Sequence, residues 1–218
     1  MAEFMYADRI PAEILAWGNE LAQIRRDIHQ HPELGFDTSR TCGVIATKLS
    51  EWGVEFDDKL VEGGVIAVVN GNASGPTVAL RADMDALAMP DESENAWRSE
   101  TSQRCHACGH DGHQAAAIGL AKFIHANAER LCGRIRFICQ PAEEGSRGAY
   151  PILQAGVLDD VDMIICGHIA PELELGTVVA APRRLLSTTK IDFEFTGRAS
   201  HAGSHPQTGR NALLAGAA

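Results

Sequence analysis

Apolar positions recur at helical spacing across residues 12–31, where Ile14, Leu15, Trp17, Leu21, Ile24 and Ile28 share one face. The helix is expected to end at His31-Pro32, because a residue ahead of proline avoids the α region. A second helix is predicted over 38–52, stopped by Gly53. The period then changes. Residues 64–70 and 77–81 are apolar, β-branched runs, and the Asn-Gly-Asn-Ala-Ser-Gly-Pro between them reads as a hairpin connection. Beyond these the pattern predicts a helix from about 113 to 128, a buried strand over 134–139, a helix over 150–155, and strands over 161–166 and 177–180. After Pro182 the texture shifts: 188–195 alternates as a strand, Thr196-Gly-Arg-Ala-Ser-His201-Ala-Gly opens a different unit, and Asn211 begins another helix.

Strands alternating with helices predict an α/β fold with a largely parallel central sheet, whose functional residues gather at the carboxyl ends of strands. The chemistry-bearing residues sit there. Arg81-Ala-Asp83-Met-Asp85, Gln140-Pro-Ala-Glu143-Glu144-Gly145 and Gly167-His168 each close an apolar run.

Composition narrows the function classes. The 218 residues are 45% apolar and 22% charged, the balance of an ordinary globular chain. Asp plus Glu number 29 against 19 Lys plus Arg, a net charge of −10 without a basic run, which argues against nucleic acid or an anionic membrane as partner. The longest apolar stretches, 65–69 and 163–166, fall far short of the roughly 20 residues of a membrane helix. Glu3 and Asp8 flank no signal-peptide core, so a cytoplasmic location is expected. Residues 1–4, ahead of Met5, are set aside from the fold reading, as either an expression-tag remnant or an upstream start. The six cysteines are expected to be reduced, with roles in packing or metal binding.

Cys105-His-Ala-Cys-Gly-His-Asp-Gly-His113 has three readings. A structural zinc clip would use Cys105, Cys108, His110 and His113, but four donors so close in sequence crowd a tetrahedron. A thiol-redox pair would use Cys105 and Cys108. A catalytic metal centre would combine some of these donors with others at neighbouring strand ends. Glu143-Glu144 suits the third reading, since adjacent side chains project differently and one carboxylate can bind metal while the other takes a proton from water. Asp83 and Asp85 share a strand face; Asp85 can orient a ligating imidazole, or both can serve in a turn. His168 gains weight only from this company. Thiolate, imidazole and carboxylate together suit zinc, manganese or cobalt better than calcium or magnesium.

Five ordered motifs carry a resemblance: His29-Gln-His-Pro-Glu-Leu-Gly-Phe36, Arg81-Ala-Asp-Met-Asp-Ala-Leu87, His106-Ala-Cys-Gly-His-Asp-Gly-His113, Gln140-Pro-Ala-Glu-Glu-Gly145 and Gly167-His168. Together they resemble the amidohydrolase branch of the metallo-aminoacylase and carboxypeptidase superfamily, which includes hippurate, auxin-conjugate and aminobenzoyl-glutamate hydrolases. The resemblance implies a three-layer α/β/α catalytic domain over residues 5–185 and, over 186–218, the start of a small α+β lid that mediates homodimerisation. It implies two divalent metal ions (zinc, manganese or cobalt) held by Cys108, His110, Glu144 and His168, with Cys108 bridging. Glu143 matches the general base, Asp85 the acid that supports the centre, and His201 the lid histidine that steadies the developing oxyanion. The implied reaction is hydrolysis of the amide bond of a small N-acyl amino acid by metal-activated water. Arg147, the run 156–162, Ser187-Thr-Thr-Lys190 and Gly209-Arg-Asn-Ala-Leu-Leu214 lean toward aminobenzoyl-glutamate as substrate, and Arg147 has two readings, a clamp on a substrate carboxylate or a helix cap. Family members continue well past position 218 with one more metal-binding histidine, so the chain is expected to be truncated and, taken alone, to hydrolyse little.

Overall fold

The computed structural model describes residues 10–145, 147–179 and 191–217. Its first helices are α1 (Ala12–Ala16) and α2 (Gly18–Gln30). The single helix expected over 12–31 is thus interrupted. Trp17, at φ −86° and ψ 0°, closes α1 in a tightened turn, and Gly18, with its low helix propensity, follows. The break leaves the Trp17 ring 4.4 Å from the Lys122 ammonium, which also lies over Trp52. Helix α3 (Ser39–Glu51) starts beside Glu33, whose carboxylate accepts the N–H groups of Arg40 and Thr41 at 3.0 and 2.8 Å. That satisfies donors a helix start leaves orphaned.

Strands β1 (Glu55–Asp57), β2 (Val65–Asn70), β3 (Ala73–Asp83), β4 (Cys132–Gln140) and β5 (Met163–Cys166) form one sheet in the order β1-β2-β4-β3-β5. β3 runs parallel to both β4 and β5, while β2 pairs with β4, and β1 with β2, antiparallel. The hairpin expected from β2 and β3 is therefore corrected: β4 lies between them, and Ile135 stands opposite Val69 on one side and Val78 on the other. Two facts explain this. The Gly71 N–H is bound by the Gly133 carbonyl at 2.9 Å, so the connector folds against the lead-in to β4 rather than into a two-strand turn. β2 is also apolar on both faces, the mark of a strand with neighbours and cover on each side.

Helix α4 (His110–Ala126) packs with α2 and α3 on one face of the sheet. There Ile24, Ile28, Ile45, Leu49 and Ile118 meet Val65, Val69, Phe137 and Cys139. On the opposite face Ile152 of α5 (Ala149–Gln154), with Val61 and Val157, covers Ile66, Ala79 and Ile138. The alternation of Phe137 and Ile138 between the two cores follows from the period of two along a strand. Helices thus cover both faces of a sheet whose β4-β3-β5 portion is parallel. At the far edge, β5 hydrogen-bonds only to β3 among the described residues, and Met163, Ile164 and Ile165 are all about half exposed.

Internal contacts divide the chain after Val178. In the second unit, Arg198 and Arg210 exchange backbone hydrogen bonds of 2.9 Å, a 3-10 turn spans Pro206–Thr208, and α6 (Ala212–Ala217) follows. Two expected strands are not found. Residues 177–179 and 191–195 have no strand partner among the described residues, and a strand exists only by pairing; positions 180 and 188–190 of those expectations lie outside the described residues. No helix among the described residues is long and apolar enough to cross a membrane.

Candidate metal centre

The site is assembled where β3, β4 and β5 end. Gln114, in the first turns of α4, donates to the carbonyls of Ala82 and Asp83 at 3.0 and 2.8 Å, fixing the helix start against the end of β3. Gly109 precedes the helix at φ +88°, and this left-handed turn separates Cys108 from His110. A Cβ at Gly109 would sit 3.1 Å from Ile169 Cδ1, in a backbone conformation that L side chains avoid. Gly109→Ala is therefore expected to cost about 1–2 kcal/mol, and to weaken metal binding by displacing Cys108 relative to His110. Denaturant unfolding and metal titration of the variant check both.

The Glu143-Glu144 turn is held from two sides. Ala142 ahead of it is left-handed at φ +56°, a costly conformation for a residue with a Cβ. Its N–H is bound by the Gly35 carbonyl and its carbonyl by the Gly148 N–H, both at 3.0 Å. Asp85, 1% exposed, receives the Glu143 N–H on one carboxylate oxygen at 2.9 Å and the Glu144 N–H on the other at 3.0 Å. Its backbone carbonyl meets His110 Nδ1 at 2.7 Å, which turns Nε2 toward the cluster. The Pro32-Glu33-Leu34-Gly35 segment threads between these loops, since the Glu33 carbonyl also binds the Ala86 N–H at 2.7 Å.

Donor atoms of Cys108, His110 and Glu144 all lie within 4.8 Å of one another. His168 Nε2 stands 3.3 Å from Cys108 Sγ, and the structure thereby brings together all four residues expected as ligands. A second group shares His110 and His168 and adds Asp83 and His113. His113 Nδ1 meets Asp83 at 2.5 Å, while its Nε2 accepts the Ile169 N–H at 2.9 Å and so anchors the segment carrying His168. Asp83 and His113 stand outside the expected ligand set. Asp83 lies two residues from Asp85 and His113 three from His110, so strand and helix periodicity put them on the same faces. Glu143 is exposed at the rim, and Arg147 is exposed at φ +60° ahead of α5. Cys105 falls into a different donor group from Cys108, which tells against a single clip or redox pair using both. His201 belongs to the second unit, where its Nδ1 faces the N–H groups of Gly203 and Ser204 at 3.1 Å.

The residues fit a bound cation. His110 Nε2 and Glu144 Oε1 are buried, 3.8 Å apart, and without a hydrogen-bond partner, an arrangement that costs free energy unless something positive lies between them. Burial pushes the Glu144 carboxyl up. Burial, then the Glu144 and Glu143 charges, push the Cys108 thiol up to about 12. Burial alone would depress His110, but Asp85 and Asp83 outweigh it and hold the imidazole up. Burial opposes ionisation of Asp83, yet the His113 hydrogen bond and the charges of His110 and Arg81 bring it down to about 2.

Residues 79–215 match the family described as peptidase family M20/M25/M40. The indole-3-acetyl-aspartic acid hydrolase of Enterobacter agglomerans is 38% identical over 91% of this chain and 56% of its own length. One subunit of the p-aminobenzoyl-glutamate hydrolase of Escherichia coli is 37% identical over 99% of this chain and 52% of its own. A Bacillus subtilis protein, described as a dinuclear metal-binding peptidase of the M20 family, superposes with a TM-score of 0.71 at 41% identity, over 73% of this chain and 45% of that one. The chain thus spans about half the length of the curated relatives it matches.

Proposed function

Because the chain belongs to peptidase family M20/M25/M40, we propose that its strand-end cluster is the centre of a metal-dependent amidohydrolase acting on N-acyl or N-aroyl amino acids. One observation carries the reading: a thiol, two imidazoles and a carboxylate, spread over 60 positions from Cys108 to His168, converge while His110 Nε2 and Glu144 Oε1 remain unpaired. Cys108, His110, Glu144 and His168 would hold two divalent ions of the zinc, manganese or cobalt class. Ions so held supply polarisation of the scissile carbonyl and acidification of water.

The remaining steps belong to the chain. Glu143, exposed beside the donors, takes the proton from the attacking water and passes it to the leaving amine nitrogen. Asp85 positions Glu143 and Glu144 through their backbone N–H groups. His201 is assigned to the developing oxyanion, which needs a hydrogen-bond donor. Its Nδ1 faces two N–H groups, so the ring proton belongs on Nε2, the tautomer that can donate. The division of labour between a catalytic domain and a dimerising lid, and a homodimeric whole protein, are part of the same proposal.

Relatives named for indole-3-acetyl-aspartate and p-aminobenzoyl-glutamate both cleave an acyl group from an acidic amino acid by name. Aminobenzoyl-glutamate is accordingly the substrate we favour. The test is a panel of N-acetyl, N-benzoyl, indoleacetyl and aminobenzoyl amino acids offered to the full-length protein after chelation and reloading with zinc, manganese or cobalt. Release of free amino acid, greatest from aminobenzoyl-glutamate, is expected; no amide hydrolysis with any ion would sink the assignment.

Metal affinity should depend on pH with a definite sign. The ligating form of Cys108 is the thiolate, and with its pKa near 12 the metal-free thiol is protonated throughout pH 6–8. Binding must expel that proton, so affinity rises about tenfold per pH unit. The slope steepens at the acid end, where the raised His110 is protonated too. Competition against a chromophoric chelator at several pH values measures the slope, and a flat profile would contradict thiolate ligation.

A further inference from the structure

A separate donor group lies outside the strand-end cluster. His29 in the last turn of α2, Asp91 in the loop after β3, and Cys105 near that loop's end place a ring nitrogen, a carboxylate oxygen and a sulfur within 4.8 Å of one another. His29 Nε2 stands 3.3 Å from Asp91 Oδ2. Two tetrahedral bonds of about 2.0–2.1 Å put their donors about 3.3 Å apart, so this pair is already at ligand spacing.

Each donor is held in place. The other ring nitrogen of His29 meets Asp111 Oδ2 at 2.9 Å, the carboxylate-imidazole pairing that orients a ligating histidine and aims its Nε2 outward. Asp91 is fixed by the N–H groups of Ser93 and Ser99 at 2.9 and 2.8 Å, and its oxygens keep lone pairs to spare. Cys105, 6% exposed, exchanges backbone hydrogen bonds with Leu87 at 3.0 and 2.9 Å.

An independent observation points to a missing polar partner. His106 is 3% exposed, its ring centroid is 6.2 Å from that of His29, and neither of its ring nitrogens has a hydrogen bond. Asp111 Oδ1 is likewise buried and unpartnered. Buried polar atoms left this way are costly.

We propose that His29, Asp91 and Cys105 form an additional metal site, distinct from the catalytic pair, for one zinc-class divalent ion. Thiolate with imidazole selects zinc or cobalt over magnesium or calcium. The ion would brace the end of α2 to both ends of the long loop that leads into His106 and Cys108. The alternative arrangement needs no ion: an imidazolium at His29 shared between Asp91 and Asp111.

Cobalt substitution of the full-length protein separates the two, because a thiolate on cobalt gives a near-ultraviolet charge-transfer band. In Cys108→Ser a band from Cys105 should survive, and in the Cys105→Ser, Cys108→Ser double variant it should vanish. Metal content of Cys105→Ser and of Asp91→Asn should each fall by one ion per chain relative to the parent. If Cys108→Ser shows no band and neither single variant loses an ion, the site does not exist and His29 is an ion-pair partner only. Since the band is read in Cys108→Ser, where Cys105 is intact, the result does not hang on the folding of Cys105→Ser. Failure of the amidohydrolase reading would appear separately, as absent turnover in the parent protein.

Discussion

Glu143→Gln is expected to lower kcat on the proposed substrate, aminobenzoyl-glutamate, by about 100- to 10,000-fold, while bound metal per chain stays at the parent value. The amide keeps the shape of the side chain and the Glu143 N–H keeps its bond to Asp85, so the turn should hold its position. What disappears, under the proposed role, is the capacity to take a proton from water. The companion Glu144→Gln separates the two adjacent glutamates, since loss of charge at Glu144, the proposed ligand, should show first as lost metal. Paired kinetic and metal measurements decide it. If both variants lose metal equally, or Glu143→Gln retains ordinary turnover, the division of roles is wrong.

Asp85→Ala is expected to be the most damaging change that touches no substrate. It strips the acceptor from two N–H groups at once, and hydrogen bonds to a charged group contribute about 1.5–3 kcal/mol each. A loss of about 3–5 kcal/mol in unfolding free energy follows, a large share of the margin of a typical domain. Residues that orient a ligand set typically cost 10- to 100-fold in metal affinity when removed. Asp85→Asn, which preserves one acceptor oxygen, should recover part of the stability but less of the affinity. Thermal unfolding with and without added zinc reads both quantities, and an unchanged melting point would show that the turn stands without Asp85.

Much of this arrangement is legible in the sequence, for reasons that differ by element. α3, α4, β4 and β5 are visible because their apolar period matches a face that is in fact buried, or a strand that is in fact paired. Cys108, His110, Glu144 and His168 can be grouped because their motifs resemble an ordered set, and strand ends in such sheets point into one cleft. The β2-β3 hairpin is a false expectation because Asn-Gly is a local signal, whereas the strand that separates the pair arrives some 60 residues later. The division of α1 from α2 is marked only by Gly18 in an otherwise continuous apolar period, and the Trp17–Lys122 contact that accompanies it lies beyond any local pattern. Asp83 and His113 as a donor pair, and the left-handed Ala142, depend likewise on partners distant in sequence.

The half-exposed β5 has a practical consequence. Among the described residues its outer row of backbone groups has no strand partner, and such an edge, flanked by Met163, Ile164 and Ile165, is a template for strand addition. The 218-residue chain should therefore self-associate as concentration rises, and Ile164→Lys should keep it dispersed.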